Sequence, residues 1–128
     1  MQNPDLRDQK EMQNIDELET VLYAGNLLLS SGAEIYRAEE TMSRIAESMN
    51  IKDLDAYVTN RGIFASGNVP GKGIETRIMS VPDKELNIDK IEAVNELSRE
   101  VCSGTVGLQY LRTSLQKIAN MGEQKASE

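Results

Sequence analysis

The feature that most constrains the fold is a glycine corner between two amphipathic segments. Apolar residues recur at the helical period before Gly32, from residue 15 to 29, and again after it, from residue 35 to 49. This period predicts two helices, each with one buried face. Glycine adopts the left-handed backbone that ends a helix without a Cβ penalty. We therefore predict a helix over residues 15–31, a tight turn at Gly32 and a second helix over residues 34–49.

Local signals within these two helices refine the prediction. Asn14 is the expected N-cap of the first helix. Gly25 interrupts the apolar stripe of that helix, which a close crossing with another helix would explain. In the second helix Glu40 precedes Arg44 by four residues, the order that favours a surface ion pair of about 0.3–0.5 kcal/mol.

The pattern changes to alternation after residue 50. Residues 54–59, 63–66 and 74–81 read as three strands, and residues 67–73 as a flexible connection. Three sequential strands with short links predict an antiparallel meander that needs a helical layer on one face. In the last strand Glu75 and Arg77 share one face, opposite Ile74 and Ile78. We expect this polar face to be exposed, unless Arg77 and Thr59 line a cavity towards the second helix.

Helical periodicity returns after the strands. We predict a helix over residues 88–102 with Asn87 as its N-cap, and another over 106–121 with Thr105 as its N-cap. The predicted order is ααβββαα, an α+β class with helices packed on one face of a small antiparallel three-stranded sheet. Residues 14–121 form one predicted domain, between a flexible N-terminal segment, 1–13, and a flexible tail, 122–128.

Composition excludes several classes of function. The net charge of −7 disfavours nucleic acid and anionic membrane surfaces as partners. The absence of histidine removes the commonest general base and zinc ligand, and we predict neither a metal site nor a cofactor. The single cysteine, Cys102, excludes an intramolecular disulfide and favours a reducing compartment. No apolar stretch reaches the length of a membrane helix, so the chain by itself is expected to be soluble.

A dense polar cluster follows the glycine corner. It allows two interpretations: a solvated helix face, or a binding pocket. A glutamate there could hold the ammonium group of an amino acid, and an arginine could hold its carboxylate in a bidentate manner. The residues that suggest this chemistry are Glu34, Tyr36, Arg37, Glu39, Glu40 and Thr41.

The same cluster carries a resemblance to a known family. Residues 32–42 resemble the signature of the soluble N-terminal domain of threonine/serine exporter family proteins, roughly Gly-Ala-Glu-Thr-Tyr-Arg-Val-Glu-Asp-Thr. The chain departs from this pattern at Ile35, Ala38 and Glu40. Further similarity at Thr59 and at residues 62–66, 75–77 and 94–99 extends the resemblance over about residues 15–120.

The resemblance implies a non-enzymatic domain on the cytoplasmic face of the plasma membrane. Its parent would export small amino acids or carboxylates, and the domain would gate, assemble or sense. Its partner would be the transmembrane part of the same transporter, absent from this chain, or a companion membrane subunit. The ligand-binding candidates are Glu34, Tyr36, Arg37, Glu39, Thr41, Thr59 and Arg77.

Two alternatives remain open at this point. A small hydrolase could use Glu34 or Glu39 as general base and Thr59 or Ser66 as nucleophile, although the chain lacks histidine and a nucleophile-elbow motif. A plain interaction module could form a homo-oligomer through its helix faces.

Overall fold

A computed structural model describes residues 16–104 and 106–122. The described elements follow the predicted order, and the sheet is antiparallel with strand order β1-β2-β3. The predicted α+β class and the order ααβββαα are therefore confirmed. The elements are α1 (Glu17–Ser30), α2 (Ile35–Ser48), β1 (Lys52–Val58), β2 (Gly62–Val69), β3 (Gly73–Ser80), α3 (Ile88–Cys102) and α4 (Leu108–Ala119).

Helix α1 is the centre of the core. It packs against the other three described helices and against β2 and β3. A helix surrounded in this way must be apolar over most of its circumference. Leu18, Leu22, Leu28 and Leu29 are all fully buried. Burial of each such side chain contributes roughly 1.5–3 kcal/mol.

The crossing of α1 and α2 depends on Gly25. A Cβ at this position would lie 2.5 Å from Met42 Sδ and 2.9 Å from Met42 Cγ. Met42 is itself fully buried and has little room to move. The predicted close helix crossing at Gly25 is confirmed.

Two predicted helix starts need correction. Helix α1 begins at Glu17, and its N-cap is Asp16, whose Oδ1 accepts a hydrogen bond from the Glu19 N–H at 2.8 Å. Helix α4 begins at Leu108 with Gly107 as its N-cap. The predicted caps Asn14 and Thr105 lie outside the described residues.

The third predicted cap is confirmed. Asn87 Oδ1 accepts from the Lys90 N–H at 3.1 Å, and α3 starts at the next residue, Ile88.

The connection between β2 and β3 is shorter than predicted. Residues 67–69 belong to β2, and the chain reverses over residues 70–72. The Lys72 N–H donates to the Val69 carbonyl at 2.9 Å, and Gly71 has a φ of +77°. Proline followed by a positive-φ glycine is the pairing that a type II turn requires.

The sheet reverses the expected facing of β3. Ile74 and Ile78 are 79% and 75% exposed, whereas Glu75 and Arg77 turn towards α1 and are half-buried. The expectation that Glu75 and Arg77 decorate an exposed face is wrong. Register on β2 supplies the reason: Arg77 is paired with Ala65, which is fully buried. Paired residues of an antiparallel ladder share a face, so burial of β2 also turns its β3 partners inward.

Candidate functional site

The glycine corner is built by a complete helix-ending motif. The Gly32 N–H donates to the Leu29 carbonyl at 3.1 Å, and the Ala33 N–H donates to the Leu28 carbonyl at 2.9 Å. These two bonds define a Schellman motif, and Gly32 takes the required positive φ of +97°. The predicted turn is confirmed. It fixes the direction in which the polar cluster leaves α1.

Glu34 lies at the N-cap position of α2. Its carbonyl accepts hydrogen bonds from the N–H groups of Arg37 and Ala38, both at 3.1 Å. Its carboxylate makes no capping hydrogen bond and is exposed. An anion at this end of a helix is favoured by the macrodipole. The Glu34 carboxylate is thus held near a positive helix end while it stays open to solvent.

The rest of the cluster divides between two faces of α2. Tyr36 is 61% exposed, and Arg37 and Glu39 are exposed as well. Thr41 is buried beside Met42 in the core layer. Solvent therefore reaches Glu34, Tyr36, Arg37 and Glu39, whereas Thr41 is closed off from it. We call these four exposed residues the corner surface.

The other end of α2 is tied to α3 by Arg44. Its Nη2 lies 2.8 Å from Glu40 Oε1, so the predicted pair four residues apart is confirmed. Its Nη1 donates to Ser98 Oγ at 3.2 Å, and Ser98 is fully buried on α3. The bond to Ser98 joins α2 to α3, whereas the pair with Glu40 lies within α2 itself.

Thr59 closes the turn between β1 and β2. Its hydroxyl oxygen accepts from the Gly62 N–H at 3.1 Å and from the Arg61 N–H at 3.2 Å. A threonine that satisfies turn backbone groups in this way has a structural role. Ligand binding by Thr59 stays a prediction.

Arg77 is the centre of a separate charge cluster. Its Nη2 pairs with Asp16 Oδ2, its Nε lies 3.3 Å from Glu19 Oε1, and its Nη1 lies 3.4 Å from Glu75 Oε2. Nη1 also donates to the Thr76 carbonyl at 2.8 Å. One guanidinium thus joins the N-terminus of α1 to the edge of the sheet.

The electrostatic interactions in this cluster favour the charged forms of Asp16 and Arg77. Partial burial acts to raise the pKa of Asp16, but the Glu19 N–H and the Arg77 guanidinium together outweigh it and lower the pKa below its ordinary value. Desolvation acts to lower the pKa of Arg77, and the surrounding carboxylates, Asp16 first, outweigh it and raise the pKa. Asp16 and Arg77 therefore stabilise each other as an ion pair.

The two groups of polar residues lie at opposite ends of α1. Asp16 precedes the helix and Gly32 follows it, with 14 helical residues between them. At ~1.5 Å per residue, about 21 Å separates the two ends. Moreover, among the described elements β3 contacts α1 and β2 but not α2. The seven predicted ligand-binding residues therefore do not form one pocket that contains Arg77, and a binding role for the corner surface stays a prediction.

The candidate groups for catalysis are also dispersed. The Ser66 hydroxyl accepts from Thr76 Oγ1 at 3.4 Å on the outer face of the sheet, whereas Glu39 is exposed on α2. Cys102 is exposed, and its Sγ lies 3.5 Å from the Arg44 carbonyl. Over residues 16–104 and 106–122, no three acidic or cysteine side chains are grouped so as to hold a metal ion.

Sequence reasoning missed the partners of Arg77. Asp16 and Glu19 stand three residues apart immediately before an apolar helical stripe, which is the spacing of an N-terminal capping pair. That signal identifies Asp16 as the cap. Its contact with Arg77, 61 residues away in sequence, carries no local signal.

The fold and the corner surface together define a class: an α+β domain that presents polar side chains from the start of a helix anchored in the core. The family model described as "Putative threonine/serine exporter" (ThrE) matches residues 19–126, and the chain belongs to this family. No curated protein and no solved structure matches the chain. In the described part of the chain, none of the helices has the length and apolarity to cross a bilayer.

Proposed function

We propose that this chain is a cytoplasmic, non-enzymatic domain of an exporter in the threonine/serine exporter family. In this proposal the corner surface docks on the transmembrane part of the transporter, or on a companion membrane subunit, and gates its transport of small amino acids or carboxylates. The observation that carries the proposal is the position of the family-like signature. Its charged and aromatic side chains lie outside the core, although the helix that bears them is firmly packed.

The corner surface has the chemistry of a protein contact. Tyrosine and arginine are enriched among residues that dominate interface energies. Tyr36 and Arg37 are adjacent and exposed on α2, and the buried Ala38 and Met42 fix the helix beneath them. Little conformational order therefore has to be gained when a partner binds, which favours assembly and gating.

A ligand-sensing version uses the same residues. Glu34 and Arg37 are three apart at the start of α2, a spacing at which side chains are neighbours. Together they offer an anion and a cation to the two ends of an amino-acid zwitterion. Small-ligand sites usually bury most of the ligand, whereas this surface is open. A sensed ligand would thus be enclosed between the corner surface and the membrane partner.

An export assay tests the docking proposal. Cells that express the complete coding frame of this chain, with any companion membrane subunit, are loaded with threonine or serine and the efflux is measured. Arg37→Ala should lower efflux by at least about tenfold, the loss expected when an interface arginine is truncated. Arg99→Ala, an exposed arginine on α3, is the matched control and should retain efflux. Normal efflux from Arg37→Ala at equal protein level would refute docking through this surface.

A titration tests the sensing version separately. Threonine, serine and small dicarboxylates are added to the isolated chain and to the chain with its membrane partner, with binding followed by calorimetry. Saturable binding at millimolar ligand only with the partner present supports the enclosed site. Absence of binding in both arms rejects sensing and leaves docking to be judged by the efflux assay.

A further inference from the structure

The residue order along the free edge of β3 is complementary to that of a second copy running antiparallel to it. Among the described strands β3 is paired only with β2, so its other edge has no strand partner in the described part of the chain. At the end of that edge the Ser80 carbonyl accepts a hydrogen bond from Asn26 Nδ2 at 2.7 Å. Residues 74–78 read Ile-Glu-Thr-Arg-Ile, with Thr76 at the centre. If two copies of this segment ran antiparallel about Thr76, each Ile74 would face Ile78 of the other copy. Each Glu75 would face Arg77 in the same way.

The backbone of β3 is oriented for such pairing. The Val81 N–H donates to the Arg61 carbonyl of the neighbouring strand at 2.9 Å. In an antiparallel ladder the residues that bond a given neighbour alternate, so odd-numbered residues of β3 face β2 and even-numbered residues face the open edge. The Thr76 carbonyl accordingly accepts the Arg77 Nη1 at that edge. It keeps a second lone pair for another donor.

We infer that this protein forms a two-fold dimer in which the β3 strands of two copies pair antiparallel about Thr76. The two sheets become one continuous six-stranded sheet. About six main-chain hydrogen bonds join residues 74, 76 and 78 of the two copies. This inference concerns a second copy of the chain and does not depend on the proposed membrane partner.

Side chains complement each other on both faces of the paired strands. On the outer face, Ile74 and Ile78, each more than 70% exposed in one copy, cover each other across the new edge. On the inner face, Glu75 meets Arg77 of the second copy at a non-hydrogen-bonded pair, where Cα atoms approach to about 4.5 Å. Both charged side chains already lie on that face, where Arg77 Nη1 is 3.4 Å from Glu75 Oε2 of the same copy. Opposite charges at these positions favour the antiparallel register over shifted ones.

The other edge of the sheet lacks these features. The register of β1 is irregular between Lys52 and Asp55, and Asp53 has a positive φ of 55°. Bulges and charged residues of this kind prevent edge association. β3 is paired without interruption from Gly73 to Ser80. The association edge is therefore β3 and not β1.

The apolar side chains on the outer face of the sheet also fit a dimer in which the sheet is extended at the β3 edge. Tyr57, Phe64 and Ile78 form one row across the three strands, and the Tyr57 and Phe64 rings are 6.2 Å apart. In the dimer, Ile74 of the second copy continues this row. The apolar strip of each copy is thereby lengthened by one isoleucine, and it ends there because Ile74 is paired with Asn68 on β2.

Sedimentation of the 128-residue chain between micromolar and millimolar concentrations tests the dimer. Thr76→Pro removes an N–H that points to the open edge and leaves the β2 ladder intact. We expect this variant to weaken association by at least about tenfold, because one edge hydrogen bond is lost from each copy. Thr76→Val keeps the N–H and should dimerise as the parent does. Circular dichroism verifies that both variants fold.

Cysteine cross-linking tests the register in the Cys102→Ser background. Thr76→Cys should form a disulfide-linked dimer on mild oxidation, since hydrogen-bonded pairs place Cα atoms about 5.5 Å apart. Ile74→Cys alone should cross-link poorly, and its mixture with Ile78→Cys should cross-link well. Asn68→Cys, exposed on the central strand, is the control for random collision.

Three results would overturn the inference. The first is a monomer at all concentrations. The second is a dimer that Thr76→Pro does not weaken. The third is a dimer in which Ile74→Cys and Asn68→Cys cross-link as fast as Thr76→Cys.

Discussion

Arg77 on β3 forms an ion pair with Asp16, and Asp16 is at the same time the N-cap of α1. One carboxylate thus satisfies a helix terminus with one oxygen and a guanidinium on the sheet with the other. The pair links the start of the central helix to the edge strand. Loss of this pair should therefore lower the free energy of unfolding of the whole domain and not only disorder the surface around it.

Separate substitutions at Asp16 should distinguish its two roles. Asp16→Ala removes both the cap and the ion pair and should lower the free energy of unfolding by about 1–2 kcal/mol, the cost of a lost N-cap. Asp16→Asn keeps a good capping oxygen and should cost less. Urea denaturation of the chain and both variants measures the difference. Equal losses would show that the ion pair, and not the cap, dominates.

The lowered pKa of Asp16 predicts a specific dependence on pH. A carboxyl with a depressed pKa in the folded state contributes stability that is present above its ordinary value, about 3.9, and is lost as pH falls through the folded pKa. The chain should therefore lose stability below about pH 4. In Asp16→Asn this part of the loss should be absent. The free energy of unfolding at neutral and acidic pH, compared between chain and variant, checks the sign.

Gly25→Ala should destabilise the crossing of α1 and α2. Alanine is the better helix former by about 1 kcal/mol, but its Cβ would meet Met42 Sδ at 2.5 Å in a closed core. We expect a net loss of about 1–3 kcal/mol from overpacking. A double variant with Met42→Ala removes the clash and should make the two effects non-additive. Strict additivity in thermal or urea unfolding would contradict the contact.

Gly32→Ala should cost more than Gly104→Ala. Both glycines have positive φ, +97° and +79°, so both substitutions incur roughly 1–2 kcal/mol of backbone strain. At Gly32 the new Cβ would also meet Leu86 Cδ1 at 3.0 Å, whereas at Gly104 no atom of the described residues lies within 4 Å of it. Unfolding experiments on the two variants compare these costs directly. A larger loss at Gly104 would refute the role of the Leu86 contact.

Local sequence signals predicted most of the fold. Helical period, alternation and caps gave the element order, the Gly32 turn, the Asn87 cap and the Glu40–Arg44 pair. Each of these features is decided within about four residues of chain, so its signal can be read without tertiary contacts. The Gly25 crossing could also be predicted, because a glycine inside a helix needs a packing reason.

Less of the candidate site could be predicted. The apolar period of α2 predicted which side of the helix faces the core, and Ala38, Met42 and Ile45 are buried there. The polar cluster did not show that Thr41 lies within this buried stripe, apart from the exposed corner surface. Thr59 and Arg77 resembled family positions but acquire their partners from turn backbone and from the N-terminus of α1. Such partners depend on how the elements are placed in space.

The sequence by itself therefore determined which elements form and where the chain turns, since these depend on neighbouring residues. Only the tertiary structure decided which face of β3 is covered. The alternating pattern of β3 predicts a buried Ile78 and an exposed Arg77. In the structure Ile78 is exposed, and Arg77 is half-buried against α1. The physical reason is that an edge strand takes its facing from the strand it pairs with, and β2 must bury Ile63 and Ala65. The three carboxylates that surround Arg77 make its inward position stable.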